Sequence, residues 1–207
     1  MKKKLMMALS LVLVAALSIG GTVAYLTAKT DAVVNTFTVG EVGELTLNET
    51  TGTLVDGKRQ HMIVPGVATA KNPKVAYDAN DGDQAVYVFV EVGAGNGWAY
   101  DASSKTYTFM YDNKATLSWS VSPLWTPVTG HANVYYTTVG TGADLDATSV
   151  IASDQINVDA NNVTEANISA VANAAGELSF KAYAIQQAGF NGNVADAWTA
   201  VEDVAAS

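Results

Sequence analysis

Alternation of apolar and polar positions dominates the chain. From Ala85 to Gly93, Val86, Val88, Val90 and Val92 share one face while Tyr87, Phe89 and Glu91 share the other. That period of two, in β-branched and aromatic residues, marks a strand. Tyr107–Tyr111 and Thr116–Ser122 repeat it, the second with Leu117, Trp119 and Val121 on one side, and Asp112-Asn113-Lys114 between them reads as a hairpin turn. Val134–Val139 and Leu178–Ile185 are two further strands, the latter aligning Leu178, Phe180, Ala182 and Ala184. Shorter alternations at Val33–Val39, Leu45–Leu47, Gln60–Val64 and Lys74–Tyr77 bring the expected total to about eight or nine. Many short strands separated by turn residues predict a mainly β, antiparallel sandwich rather than a parallel α/β sheet.

Two passages switch to helical spacing. Val194, Ala197, Trp198, Val201 and Val204 lie three or four apart after the capping residue Asn193, and Ile168, Val171, Ala172 and Ala175 do the same before Gly176. Residues 140–162 are rich in Thr, Ala, Asp and Asn without a sustained period, which predicts a long loop holding at most one strand at Ser149–Val158. No linker and no internal repeat divides the chain beyond its N-terminal region.

That region is a separate object. Lys2, Lys3 and Lys4 precede an uncharged apolar run from Leu5 to Ile19, Gly20-Gly21 breaks it, and Thr22-Val23-Ala24 supplies the small residues a signal peptidase reads. The run is shorter than the ~20 residues that span a bilayer. We expect a signal peptide at 1–24 cut between Ala24 and Tyr25, with Leu26-Thr27-Ala28 as a weaker second site. Residues 25–40 are then an N-terminal strand segment, and 41–207 a β-sandwich domain with a C-terminal helix. The final residues, Val204 to Ser207, carry neither an apolar tail nor a sorting pattern, so no stable membrane anchor is expected after cleavage.

Charge and composition narrow the chemistry. With 11 Lys+Arg against 20 Asp+Glu the net charge is −9, and loss of the three N-terminal lysines takes it to −12; such a chain has no phosphate-seeking face for nucleic acid. Hydrophobic residues make up 49% and charged ones 15%, enough for a packed core. There is no cysteine, which removes disulfides, thiolate zinc sites, iron–sulfur clusters and a cysteine nucleophile. His61 and His131 stand apart and in no His-Glu-x-x-His helix, and no Gly-x-Ser-x-Gly elbow occurs. The turn Asp78-Ala79-Asn80-Asp81-Gly82-Asp83 offers Asp78, Asp81 and Asp83 as weak cation ligands. It fails the EF-hand pattern, because Phe89 stands where the closing glutamate belongs, and it reads better as a turn. Gly93-Ala94-Gly95-Asn96-Gly97 follows a strand but runs into Trp98-Ala99-Tyr100 rather than opening a helix, so it is read as a loop and not a dinucleotide site. Trp98, Trp119, Trp125, Tyr135 and Tyr136 suit a sandwich interior better than a sugar platform. Neither a cofactor nor an enzymatic activity is expected.

Gly20-Gly21-Thr22-Val23-Ala24-Tyr25-Leu26-Thr27 followed by Asn35-Thr36-Phe37-Thr38-Val39-Gly40 resembles the processed region of the TasA/camelysin (CalY) family, bacterial proteins whose signal peptide is read by a SipW-type signal peptidase. Val64-Pro65-Gly66 with Asn72-Pro73, then Val86–Val90, then Ala184-Ile185-Gln186 with Ala188-Gly189-Phe190 and Ala197-Trp198, are similar to its clostridial branch; residues 140–162 have no counterpart. The resemblance implies an exported, jelly-roll-like β-sandwich secreted to the matrix or cell surface, self-associating into biofilm-matrix fibres. Camelysin has been described as a metalloprotease, but no zinc-binding motif is present here, so proteolysis is not expected.

Polymerisation also has a physical argument beside the resemblance. Cleavage frees a segment from Tyr25 to Gly40 that is extended in character, with Val33, Phe37 and Val39 on one face beside Asn35. A secreted sandwich has edges ready to accept such a strand, and strand donation from copy to copy builds filaments. The same apolar face would serve equally well if Val33–Val39 were simply the first strand of its own domain, and the sequence leaves both open. A monomeric adhesion or carbohydrate-binding sandwich is the second reading, and a metalloprotease the third.

Overall fold

The computed structural model describes the backbone of Thr27–Lys29, Thr36–Val39 and Val42, and residues 43–80 and 82–205 in full. The signal peptide with its Ala24–Tyr25 junction, together with Val33, Asn35 and Asp81, lies outside the described residues.

Val86–Ala94 is the centre of the molecule. It pairs along one side with Leu178–Gln186 and along the other with Val134–Val139, all antiparallel. Thr27–Lys29 and Thr126–Pro127 complete this five-stranded sheet at its two edges. The alternation read from the sequence sorts its side chains onto two faces, and both are covered. Val86, Val88, Val90 and Val92, with Phe180, Ala182 and Ala184, point into the main core, while Tyr87, Phe89, Tyr183 and Ile185 point into a second, smaller one. Each fully buried aliphatic or aromatic side chain contributes on the order of 2 kcal/mol.

Opposite the first face lies a second layer made of two sheets. One runs in the order Leu145–Ser149, Lys74–Asp78, Val42–Asn48, Thr36–Val39; the other in the order Thr69–Ala70, Gln155–Val158, Lys114–Ser120, Thr106–Tyr111, Trp98–Asp101. They are joined where Val121 bridges Ile151, and where Val150 donates to the Pro73 carbonyl at 2.9 Å while its own carbonyl accepts from Ser122 at 2.8 Å. Leu45, Leu47, Val75, Tyr77, Tyr107, Phe109, Leu117 and Trp119 from this layer meet the valines of the first. The outer face of the five-stranded sheet is covered by the C-terminal helix Val194–Ala205, which buries Ala197, Trp198 and Val201. Asn193 caps that helix, its side-chain oxygen accepting from the Asp196 amide at 3.3 Å. A shorter helix, Ile168–Ala175, closes on the main core through Val171 and Ala175. The described residues thus form a mainly β, antiparallel β-sandwich with two short helices.

Several expectations need correction. The described residues form sixteen strands, not eight or nine. Gln60–Val64 is not one strand: Asp56 and Gly57, with φ of 48° and 77°, make a tight turn that ends the hairpin at Gln60, and a turn at Pro65-Gly66 bridges Val64 to Val67. Residues 140–162 hold two strands, separated by a turn at Ala152–Asp154 in which Ser153 and Asp154 take positive φ. Of the glycine-rich stretch read as a loop, Gly93 and Ala94 extend the strand Val86–Ala94, paired with Ser179 and Leu178, and only Gly95–Gly97 turns the chain into the strand Trp98–Asp101. The turn at Asp112-Asn113 forms with both residues at positive φ, joining Tyr111 to Lys114.

Aromatic side chains fill the sandwich. Tyr107 stacks on Trp119 with ring centroids 4.3 Å apart and 9° between planes, and Tyr107 and Tyr135 share a hydrogen bond of 2.8 Å in a chain that ends on the Asn133 side-chain oxygen. Burial pushes the Tyr107 phenol up to about 12, against a smaller opposing effect of its bond with Tyr135; burial raises Tyr135 too, with Tyr107 and Tyr100 crowding its hydroxyl. Both phenols hold their protons more tightly in the folded state. Their contribution is therefore intact below the ordinary phenol value near 10 and is lost as pH rises through the folded values. A spectroscopic pH titration should show part of the phenolate absorbance appearing only with cooperative unfolding above pH ~10. Nine tyrosines ionising in one wave around an intact fold would contradict this interior.

Candidate assembly edges

The N-terminal segment meets the sandwich at two places. Thr27, Ala28 and Lys29 pair with Ile185, Ala184 and Tyr183, on the outer edge of Leu178–Gln186. Thr36, Phe37 and Val39 pair with Thr46, Leu45 and Val42, on the outer edge of the other layer. The Val42–Asn48 strand also lies close to Leu178–Gln186 and to Thr27–Lys29. At this side the rims of the two layers converge, and one short stretch of chain caps both. Of the expected assembly residues, Phe37 and Val39 therefore take defined register positions opposite Leu45 and Val42. The acceptor residues Tyr183, Ala184 and Ile185 carry no signal beyond strand alternation in the sequence, because the pairing that singles them out is formed with a segment far away along the chain.

Gly43 sets how closely the second rim is built. A side chain there would collide with the Asp78 carbonyl, and the Gly43 amide donates to the Tyr77 hydroxyl at 2.9 Å. Burial raises the Tyr77 phenol, a shift opposed by the Gly43 bond and reinforced by Asp83 and Asp144.

The acidic turn has a structural role in the described residues. Asp83 is buried, and its carboxylate accepts the Asn80 amide at 2.6 Å; Asp78 is exposed, and the amide of Ala79 goes to Asp144 at 2.9 Å. Among the described residues, no three His, Asp or Glu side chains gather as metal ligands. The two histidines each face a glutamate of their own: His131 lies 3.8 Å from Glu202, and His61 lies 3.1 Å from Glu49.

The His61 contact belongs to a network that no sequence pattern marks. Lys71, only 5% exposed, donates to both Glu49 oxygens at 3.0 Å, and His61 lies between Glu49 and the Ala70 carbonyl. The Asn72 side-chain oxygen accepts from the amides of Thr50 and Thr51 at 3.1 and 3.0 Å. Together these pin the base of the hairpin Thr53–Gln60; Leu54 on the hairpin and Met62, Val64 and Val67 after it stand exposed. Burial acts to raise the Glu49 carboxyl, but the hydrogen bond of His61 and the charge of Lys71 outweigh it, and the net shift is downward. Lys71 is also lowered, by burial first, with Glu49 opposing.

Breaking such a pair strands a charge. Lys71→Ala should cost about 3 kcal/mol at neutral pH, whereas Glu49→Gln combined with Lys71→Met should be closer to wild type than either single change. The Glu49 contribution is complete above its unfolded value near 4.5 and disappears as pH falls through the depressed folded value. The gap between wild type and Glu49→Gln should therefore close in denaturant titrations as the pH is lowered through that range. A gap that widens on acidification would contradict the assignment.

No family model matches the chain, and neither a curated protein nor a solved structure matches it.

Proposed function

We propose that the mature protein is a secreted, non-enzymatic structural protein that forms or decorates extracellular matrix fibres, each copy donating its N-terminal segment to the next. The observation that carries this reading is the position of that segment, whose two short strands cap the outer edges of two different sheets through brief backbone ladders. Departure of such a segment opens two edges at once, and every copy offers the same edges to the same segment of a neighbour. Donation of this kind does not close on itself and therefore propagates as a filament. Export is supported by the basic, apolar and small-residue succession of residues 1–24.

The sugar-binding alternative needs exposed, coplanar aromatic rings. Trp119, Trp125 and Trp198 are 1%, 0% and 2% exposed, and Trp98 is half-buried with its indole N–H on the Ala175 carbonyl at 3.0 Å. These four are all the tryptophans of the chain, so self-assembly is the better supported reading.

Three experiments test it. Protein recovered from the medium should begin at Tyr25 by intact mass; a product retaining Lys2–Lys4 would refute the export step. Phe37 stands opposite Leu45, a fully buried residue. Phenylalanine burial is worth on the order of 2–3 kcal/mol, and each ~1.4 kcal/mol lost at a joint weakens association about tenfold. Phe37→Asp should shorten filaments sharply in sedimentation and electron microscopy. Deleting Tyr25–Val39 should leave a domain that melts cooperatively and no longer sediments as polymer. A deletion that cannot fold, or a mature protein monomeric at high concentration, rules strand donation out.

A further inference from the structure

Three residues of backbone pairing hold an edge strand weakly, since each hydrogen bond adds a net ~1 kcal/mol and ordering each residue costs a comparable amount. Thr27–Lys29 has a second support. The C-terminal helix runs close to Val86–Ala94, to Leu178–Gln186 and to Thr27–Lys29 itself. Its central side chain is Trp198, whose ring lies 5.3 Å from Phe89 and 5.4 Å from Tyr183, edge-on to the latter. Tyr183 is the register partner of Lys29. A single residue therefore joins the strand pairing to the helix packing, and Ala197 and Val201 are buried on either side of Trp198 in the same cluster. Glu202, facing His131 at 3.8 Å, ties the outer side of the helix to the turn before Val134–Val139.

This cluster is distinct from the main core. Tyr87, Phe89, Tyr183 and Ile185 face the helix, whereas Val86, Val88, Val90 and Val92 face the opposite sheets. Loosening the helix leaves the sandwich interior in contact.

We propose that the C-terminal helix is the clamp of a strand-binding slot. The floor of the slot is the backbone edge Tyr183–Ile185, its wall is the helix around Trp198, and its occupant in the polymer is Thr27–Lys29 of a second copy. The proposal rests on the strand-donation reading and adds what governs it. The slot that holds a chain's own strand is the slot that receives its neighbour's, so a strand must leave one clamp before entering another. The helix contacts thus stand in the barrier to exchange, and the helix sets how fast copies trade strands.

Hydrogen exchange on the mature protein kept dilute, followed by polymerisation at higher concentration, tests this with Trp198→Ala and the milder Val201→Ala. Amides 27–29 should exchange on the order of tenfold faster in Trp198→Ala, the equivalent of ~1.4 kcal/mol, and less so in Val201→Ala. Amides of Val86–Ala94 should stay protected, and polymerisation half-times should shorten in the same order. Unchanged exchange at 27–29 in both variants overturns the clamp. So does loss of protection at Val86–Ala94 together with 27–29 in Val201→Ala, because the helix would then be part of one cooperative core; that variant decides if Trp198→Ala unfolds the domain. Faster exchange at 27–29 with no polymer from any of the proteins separates the two ideas. The helix would then hold only its own strand, and the failure would lie in strand donation.

Discussion

Val86–Ala94 is buried on both faces, and most of the architecture comes from the need to cover both. An antiparallel strand usually has one wet side. Here the valine side is covered by two sheets and the aromatic side by a helix. The first cover draws on both sheets of the second layer: Val75 and Tyr77 of one and Leu117 and Trp119 of the other lie in the same core as the valines, and the bridge between Val121 and Ile151 joins the two sheets. The second cover explains the amphipathic C-terminus. Without Trp198, Ala197 and Val201, the rings of Tyr87, Phe89 and Tyr183 would form an exposed aromatic surface, of a kind that folded chains rarely leave without a partner.

Covering faces leaves the edges. A sheet that does not close into a barrel ends in unpaired backbone groups, and natural proteins cap or blunt them. At one rim this chain uses the short strand Thr126–Pro127, where the proline has no amide to offer a further strand. At the other rim it uses the N-terminal segment, on both layers. The two solutions differ in reversibility. Thr126–Pro127 is held at both ends by the surrounding chain, with Val128 donating to the Val134 carbonyl at 2.9 Å. The N-terminal cap is tethered only on its C-terminal side once a signal peptide is removed, and this asymmetry is the physical content of the proposed donation.

Elements governed by local chemistry are legible in the sequence, and elements governed by distant pairing are not. Val86–Ala94, Val134–Val139, Leu178–Gln186 and the two helices announce themselves by period, because each buries a continuous face against something large. The Asp112-Asn113 turn is readable for the same local reason. Asp56-Gly57 carries an equally strong turn signal, yet its flanking strands Thr53–Val55 and Lys58–Gln60 are largely exposed and show no apolar alternation to mark a hairpin. Leu145–Ser149 and Gln155–Val158 have mixed composition and exist because Lys74–Asp78 and Lys114–Ser120 offer them edges. Of the candidate site, the donor side is visible in Phe37 and Val39. The acceptor side, Tyr183–Ile185 with Trp198 above it, and the Glu49–His61–Lys71 network depend on contacts between residues far apart in sequence.

Charge sets the terms on which copies of this chain can meet. A net charge of −9 opposes face-to-face association of copies, and at physiological ionic strength that repulsion reaches only about 8 Å. Strand pairing brings backbones within ~5 Å, well inside that range, so side chains at the joint act at full strength. Near the proposed slot Glu91 is already matched: Lys181 stands 3.7 Å from it, and Tyr183 donates to the same carboxylate at 3.1 Å. In the proposed joint the arriving strand brings Lys29, one of 11 basic residues against 20 acidic ones in the chain, to the rim of an acidic neighbour. The proposed joint is a ladder of neutral backbone bonds with one basic residue at its end, whereas an interface made from acidic loops would place like charges together. On the proposed reading, the acidity that opposes contact between copies favours joints made by backbone at a sheet edge over joints made by side chains.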